Sequence, residues 1–456
     1  MLDRRRIREA HEETRNTLAR RGDAEALALL DEVASLDGEW RASQARADEL
    51  RAQLNTHSKT FGMLRGRAGR GDLIADDILS TAGVAELLGD RTSGTADELI
   101  DSLQAELRKF SEEVDEATKR TSDLDDQITQ RLSYLPNLPD PSVPDGESED
   151  DNIVSRQWGE PREYDFEPQP HWDLGPALGI IDFERGVRIA GSRFYVLTGS
   201  ASKLQRSLIQ WMLDVHTREH GYREVYPPFV STQETLFASG QLPKFKDNVY
   251  RDEDDDVWLV PTAEVPLTSM HRGEILEPGM LPINYVAYTP SFRREQMSAG
   301  RDIRGIKRGH QFDKVEIYKF TEPENSLEEL EVLLGHAESI LRRLELPYRI
   351  VELCAGDLGQ ASAKTYDIEV WAPGCGEWLE VSSCSTTTDY QARRANIRYR
   401  REAGARPQFV HTLNGSGLAL PRVMIAIMET YQRADGTIEI PEALRPYTGF
   451  AEITRE

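Results

Sequence analysis

In Phe292-Arg293-Arg294-Glu295 a cation and a hydrogen-bond acceptor stand two residues apart. On a strand residues so spaced share one face, so Arg293 and Glu295 would point together into one site. A glycine-punctuated basic run follows, Arg301-Asp302-Ile303-Arg304-Gly305-Ile306-Lys307-Arg308-Gly309, and then a return through Phe312 to Lys314. Between Ser291 and Lys314 seven cationic side chains stand against three anionic ones, in a chain whose formal net charge is -24. A solvated basic face is the ordinary explanation of such a run. The order of aromatic, spaced Arg and Glu, glycine-bearing loop and returning strand points instead to a site for an anion.

Several standard chemistries are excluded. There is no G-x-x-x-x-G-K-[ST] phosphate loop, and Gly415-Ser416-Gly417 lacks the spacing and acidic partner of a dinucleotide fingerprint. His11-Glu12-Glu13 lacks the second histidine of a metalloprotease helix. Cys354, Cys375 and Cys384, spaced 21 and 9 apart, match neither a zinc pair nor an even disulfide framework, so reduced, partly buried thiols are expected. Phosphate would therefore be handled by arginine side chains and an acid-bound metal.

At 456 residues and 39% hydrophobic content the chain has room for two or three domains. It has no apolar run long enough to cross a membrane and no apolar signal segment after Met1-Leu2-Asp3-Arg4-Arg5-Arg6, so a cytoplasmic protein with no membrane partner is expected. Acidic residues number 79 against 45 Arg and ten Lys. Such a balance disfavours indiscriminate nucleic-acid binding and confines any polyanion to local basic islands.

The elements that would position these residues are visible as periodicities. Leu29, Val33, Leu36, Trp40, Ser43, Ala47, Leu50, Leu54, His57, Phe61 and Leu64 alternate steps of four and three, and Ile100 to Ile128 do the same. The two heptad series predict an antiparallel helical hairpin, its first helix from about Ala26 to Leu64 and roughly 58 Å long. Arg41 to Arg70 carries seven cations against two anions, and Asp97 to Asp126 four against eleven. Pairing within the hairpin accounts for part of this, and presentation of Arg41, Arg46, Arg51, Lys59, Arg65 and Arg67 to a phosphate backbone is the competing reading. A weaker helical pattern around Ile74 to Leu88 marks the tip. The Pro-, Gly- and acid-rich stretch Asp140 to Arg162 reads as a linker. Beyond it, strands around Glu224, Val257, Asn284, Val315, Tyr366 and Trp378, with helices at Ser202 to His220, Leu327 to Leu344 and Leu420 to Tyr431, predict an α+β domain on an antiparallel sheet.

Three segments now carry a resemblance. Gly221-Tyr222-Arg223-Glu224-Val225-Tyr226-Pro227-Pro228, Phe292-Arg293-Arg294-Glu295 and Gly417-Leu418-Ala419-Leu420-Pro421-Arg422 resemble, in order, motifs 1, 2 and 3 of the class II aminoacyl-tRNA synthetases. Pro261-Thr262-Ala263-Glu264-Val265-Pro266-Leu267, Glu380-Val381-Ser382-Ser383-Cys384-Ser385 and His411-Thr412-Leu413-Asn414-Gly415-Ser416-Gly417 resemble the serine-type branch. The heptad hairpin and His171-Trp172-Asp173-Leu174-Gly175 match it too, so the similarity to the seryl-tRNA synthetase family spans nearly the whole chain.

The resemblance implies an N-terminal tRNA-binding domain with a coiled-coil arm over 1–135, a linker over 136–165 and a class II catalytic domain over 166–456. It implies a homodimer built through motif 1, with ATP, L-serine, tRNA(Ser) and, where present, tRNA(Sec) as partners. Arg293 would grip the α-phosphate and serine carboxylate region, Glu295 would accept from the adenine amino group, and Arg422 would hold the γ-phosphate. The nucleotide site would further include Arg294, Glu380, Val381, Ser382 and Ser383, with Glu380 and Ser383 carrying Mg²⁺. Thr262, Ala263, Glu264, Glu316, Asn414 and Ser416 would recognise serine. Arg301, Arg304, Lys307 and Arg308 would guide the tRNA acceptor end, and His310 reads as a loop-anchoring or core histidine rather than a catalyst.

Two features depart from the family pattern: an extended arm tip, about Ala68 to Gly94, and the bulky Gln296-Met297 after Glu295. Two other functions share the resemblance. One is an enzyme that loads a small amino acid onto a carrier protein, which would be expected to lack the arm. The other is an inactive interaction protein, which would be expected to have lost Arg293, Glu295, Glu380 or Arg422.

Overall fold

The computed structural model describes residues 1–296 and 304–455; the expected contributions of Met297 and Arg301 lie outside the described residues. Two compact units form, one from Ile7–His11 and Ala28–Leu132, the other from Met1–Arg6, Glu12–Leu27 and Ser133–Glu456.

The heptad series become two long helices, α1 (Ala24–Ala68) and α2 (Ala96–Tyr134). Helices of this length owe their stability to the apolar seam between them. Val33, Ala47, Leu50, Val114, Leu124 and Ile128 of that seam are buried. Midway, small polar residues replace the leucines, and the Ser43 and Thr121 hydroxyls meet at 2.8 Å. The first turn of α2 is a capping box: Glu98 accepts from the Thr95 backbone N–H at 2.8 Å while Thr95 Oγ1 accepts from the Glu98 N–H at 3.4 Å. The single weak helix expected at the tip is two, Ala75–Leu79 and Val84–Leu88. Gly83, at φ 82°, breaks the pattern between them. Ile78, Val84 and Leu88 close a small core with Leu64, Leu99 and Leu103.

Three basic residues of α1 pair along their own helix, whereas Arg67 reaches Asp77 at the tip at 3.4 Å. Arg41 meets Asp37 at 3.2 Å, Arg46 meets Glu49 at 2.9 Å and Arg51 meets Asp48 at 3.1 Å, and each arginine side chain remains about half exposed. The acidic second helix therefore does not account for these three cations.

Eight strands make the main sheet: β1 (Ile153–Trp158), β2 (Arg223–Glu224), β3 (Ile283–Phe292), β4 (Gln311–Thr321), β5 (Tyr348–Glu352), β6 (Lys364–Ala372), β7 (Glu377–Thr388) and β8 (His411–Ala419). Their order is β1-β5-β6-β7-β8-β4-β3-β2, antiparallel throughout except for the short parallel β2–β3 pair. Helices α3 (Gly199–Arg218), α4 (Ser326–Arg343), α5 (Tyr390–Ala395) and α6 (Leu420–Thr430) follow in chain order. In α4 the buried Leu330, Leu333, Leu334, Ala337, Ile340 and Leu341 form one stripe, against β7 and β8. Helix α6 is buried except at Arg422, and its only charged residues, Arg422 and Glu429, stand seven apart on one face of an otherwise largely apolar helix. No helix among the described residues is long and apolar enough to cross a membrane.

The stretch expected as a linker, 136–165, is built into this unit. Asn137 Nδ2 donates to the Ala361 and Thr387 carbonyls at 2.9 and 2.8 Å, and Ile153–Trp158 is the edge strand of the sheet. Its residues are exposed on both faces, so no hydrophobic alternation betrays the strand.

Arg21 is a buried clamp for the same region. Its guanidinium donates to the carbonyls of Asn137 (2.7 Å), Leu358 (2.9 Å), Gly359 (3.3 Å) and Ser362 (2.6 Å). Burial lowers its pKa to about 10, which leaves it charged at neutral pH. Arg21→Met strands several buried acceptors and should destabilise this unit by at least about 3 kcal/mol in urea titration. An unchanged midpoint would mean that the four carbonyls find water without it.

Candidate active site

Strand β4 organises the site, because its alternate residues Phe312, Lys314, Glu316 and Tyr318 share one face. Phe312 and Lys314 line a cavity of about 290 Å³, together with Glu264, Arg293, Glu295, Lys307, Arg308, Glu380, Val381, Ser383, Asn414, Ser416 and Arg422. Nine of the fourteen residues singled out from the sequence thus stand around one space. Thr262, Ala263, Arg294, Glu316 and Ser382 lie outside its lining.

Arg293 is held from three directions. Its N–H donates to the His310 carbonyl at 2.9 Å while His310 Nδ1 bonds the Arg293 carbonyl at 2.9 Å, closing the base of the basic loop. Its Nε donates to the Pro261 carbonyl at 3.2 Å, and its guanidinium lies 5.1 Å from the centre of the Phe312 ring. Glu295 turns back at φ 51° and its carboxylate lies 3.5 Å from Arg308. Arg294 donates its N–H to the Asn248 carbonyl at 2.9 Å and braces the loop. Lys307 pairs with Glu377, and its ammonium sits 5.4 Å from the Trp172 ring centre. Lys307 and Arg308, expected to guide a nucleic-acid end, are therefore walls of the cavity, whereas Arg304 is exposed.

Glu380 and Ser383 are three apart, a spacing that a regular strand would send to opposite faces. A register shift resolves this: Ile368 pairs with Ser382 and Glu369 with Glu380, leaving Val381 as a bulge. Ser382 instead donates to the Ser416 carbonyl at 2.7 Å, tying β7 to β8. A second shift leaves Gly417 unpaired, where a Cβ would stand 2.8 Å from His216 Nε2. Arg422, entering α6, donates to the Glu380 carbonyl at 2.5 Å and lies 3.3 Å from its carboxylate.

Burial acts to raise the pKa of Glu380, but Arg422 and Arg293 outweigh it and hold the group below the ordinary carboxylate value. Asp367, opposite Ser383, goes well above its ordinary value through burial and the nearby Glu380. One buried acid keeps its proton so that its neighbour stays charged. An ionised carboxylate beside a serine hydroxyl is an all-oxygen donor set that suits Mg²⁺.

Glu316 is wholly buried and pairs with Lys314. Burial raises its pKa, and Lys314 acts against that rise. Thr262 Oγ1 accepts from the Glu264 N–H at 3.3 Å and sets the turn that presents Glu264. Burial first, then the Glu316 charge, push the Glu264 carboxyl up to about 7. The cavity thus combines fixed guanidinium and ammonium groups, suited to a polyphosphate, with carboxylates and small polar groups suited to a compact zwitterion. Cys384 is buried beneath it, and burial pushes its thiol up to about 12.

Phe312, Lys314, Gly309, Ala419 and Pro421 also line the cavity and were not among the expected site residues. The two-residue spacing from Phe312 to Glu316 was the signal for the first two.

Known proteins share this architecture. A family model described as the tRNA synthetase class II core domain (G, H, P, S and T) matches residues 244–431, and one described as the seryl-tRNA synthetase N-terminal domain matches 1–81. The chain is 55% identical over 449 residues to the serine–tRNA ligase of Thermomicrobium roseum, covering 98% of this chain and 94% of that protein. It is 53% identical to the serine–tRNA ligase of a Roseiflexus species, over the whole of both. The crystal structure of seryl-tRNA synthetase from Pyrococcus horikoshii complexed with ATP superposes with a TM-score of 0.88 at 37% identity, covering all of both chains.

The electrostatics make a direct prediction. In the empty site the Glu264 carboxyl should titrate near pH 7, read from the side-chain carbonyl resonance that Glu264→Gln removes. Titration in the ordinary carboxylate range would contradict the burial and the like-charge contact with Glu316.

Proposed function

We propose the following residue roles from the premise that this chain belongs to the seryl-tRNA synthetase family. The enzyme is an ATP-dependent, AMP-forming ligase that activates L-serine to seryl-adenylate and transfers the seryl group to the 3′ end of tRNA(Ser). Its first step forms a bond from the serine carboxylate oxygen to the α-phosphorus and breaks the bond to pyrophosphate. In the second, a terminal ribose hydroxyl attacks the seryl carbonyl and AMP leaves.

Arg293 is the residue on which the assignment rests, because its carbonyl, backbone and aromatic restraints fix its charge before substrate arrives. A cation so held stabilises charge developing at the α-phosphate without reorganising during the reaction. Glu295 accepts from the adenine amino group, Arg308 orients it, and Arg294 braces the loop. Arg422 takes the γ-phosphate. Glu380 and Ser383 would hold Mg²⁺, which when bound neutralises phosphate charge, and Val381 and Ser382 shape the strand that presents them. Glu264 and Glu316 are the anionic partners for the serine ammonium. Thr262 and Ala263 fix the turn before Glu264, and Asn414 and Ser416 meet the hydroxyl. Alanine would leave these polar groups unpaired, and threonine would exceed the space.

The domain division at 1–135 and 166–456, separated by 136–165, is kept only in that the arm serves tRNA and the sheet serves catalysis. The half-exposed Arg41, Arg46 and Arg51 are its contacts with the tRNA backbone. A homodimer forms through the motif 1 segment, where Tyr226 is 79% exposed beside Val230. A cytoplasmic location and serylation of tRNA(Sec) accord with the same reading.

Pyrophosphate exchange should depend on serine and be negligible with alanine, threonine or glycine, and Arg293→Ala should lower it about a hundredfold or more. Equal activity on glycine or threonine would overturn the pocket assignment. The Glu264 pKa gives the pH sign: the ammonium binds the carboxylate, so the serine KM should rise as pH falls below about 7 while the ATP KM does not follow. Reversing the charge of Arg41, Arg46 and Arg51 together should raise the tRNA KM and weaken its salt dependence while leaving pyrophosphate exchange intact. Equal loss of both activities would show that these residues act on the fold.

A further inference from the structure

Gln391, fully buried in α5, uses its whole hydrogen-bonding capacity. Its Nε2 donates to Glu264 Oε1 at 2.6 Å and to the Ser239 carbonyl at 3.0 Å. Its Oε1 has three hydroxyls within hydrogen-bonding distance, Thr412 Oγ1 at 2.8 Å, Tyr318 Oη at 2.9 Å and Thr387 Oγ1 at 3.3 Å, enough to fill both of its lone pairs while Thr387 and Thr412 bond each other. The amide cannot be turned over, because the Ser239 carbonyl can only accept and would then face an oxygen. Tyr318 is held in turn by Thr268 Oγ1, which lies 2.9 Å from its hydroxyl and 2.7 Å from the Glu264 carbonyl and has one proton to share between them.

The result is a chain from the floor of the sheet to the cavity wall. Tyr318 lies two residues past Glu316 on β4, Thr412 stands on β8, Thr387 on β7, and all three converge on one amide. The charged groups facing Glu264 are Glu316, Lys314 and Arg293. None of them is a donor that replaces Gln391 on Glu264 Oε1 in the described structure. Gln391 lies outside the cavity lining and so acts on the ligand through Glu264.

We propose that Gln391 is a positioning residue that fixes the Glu264 carboxylate in the orientation from which it meets serine, and thereby sets the enzyme's affinity for that substrate. The proposal rests on the assignment of Glu264 to serine. Gln391 also favours the ionised form of Glu264, since its donor bonds the carboxylate.

The test is pyrophosphate exchange across the neutral pH range for the parent enzyme, Gln391→Met, Tyr318→Phe and Glu264→Gln. Gln391→Met should raise the serine KM about ten- to a hundredfold, the worth of one hydrogen bond to a charged group, with the ATP KM unchanged. It should also move the acidic limb of the serine dependence upward by about one pH unit. Tyr318→Phe, which removes a single donor to Oε1, should shift both in the same direction by less. A folded Gln391→Met enzyme with parental serine KM and limb would overturn the proposal. If that variant does not fold, parental values for Tyr318→Phe overturn it. Glu264→Gln with an unaltered serine KM would instead sink the underlying assignment, which separates the two failures.

Discussion

A carboxylate with no exposed surface stands in the middle of the eight-stranded sheet, and the substrate site is arranged around the need to keep it there. Glu316 on β4 lies between Ala287 on β3 and Ser416 on β8, and all three share a face. Burying a charge costs several kcal/mol unless it is paired, and Lys314 supplies the partner from two residues earlier on the same strand. Its cross-strand neighbour Ser416 lines the cavity, so the buried carboxylate lies directly behind the cavity wall.

The same face of β4 extends this logic in both directions. Phe312 supports the Arg293 guanidinium at one end, and Tyr318 supports the Gln391 amide at the other. One strand therefore spaces the groups assigned to phosphate and to serine at intervals of two residues. The bulge at Val381 performs the complementary task on β7, turning Glu380 and Ser383 toward one cavity. Arg422 then joins the third motif to the second through Glu380, whose charge Arg293 also stabilises.

What was legible in the sequence follows from these causes. The two helices of the arm were readable because their burial repeats every three or four residues over many turns. Arg293 and Glu264 were identified through short motifs whose residue types are dictated by the ligand. The edge strand β1 was hidden, since both of its faces are exposed and its neighbours are acidic and proline-rich. The assignment of Lys307 and Arg308 to the cavity was hidden too, because charge alone does not say which way a loop folds. Gln391 had no local signal at all: its partners lie at Ser239, Glu264, Tyr318, Thr387 and Thr412, and only the folded sheet brings them together.

The central claim is that one cavity holds serine against Glu264 and Glu316 and its adenylate against Arg293. A crystal structure of the enzyme with a non-hydrolysable seryl-adenylate analogue tests it most directly. The expected result is the seryl ammonium within hydrogen-bonding distance of Glu264 and on the side facing Glu316, the seryl hydroxyl at Asn414 and Ser416, and the phosphate substitute on Arg293. An analogue bound with its seryl group away from these carboxylates, or with Arg293 turned back from the linkage, would contradict it.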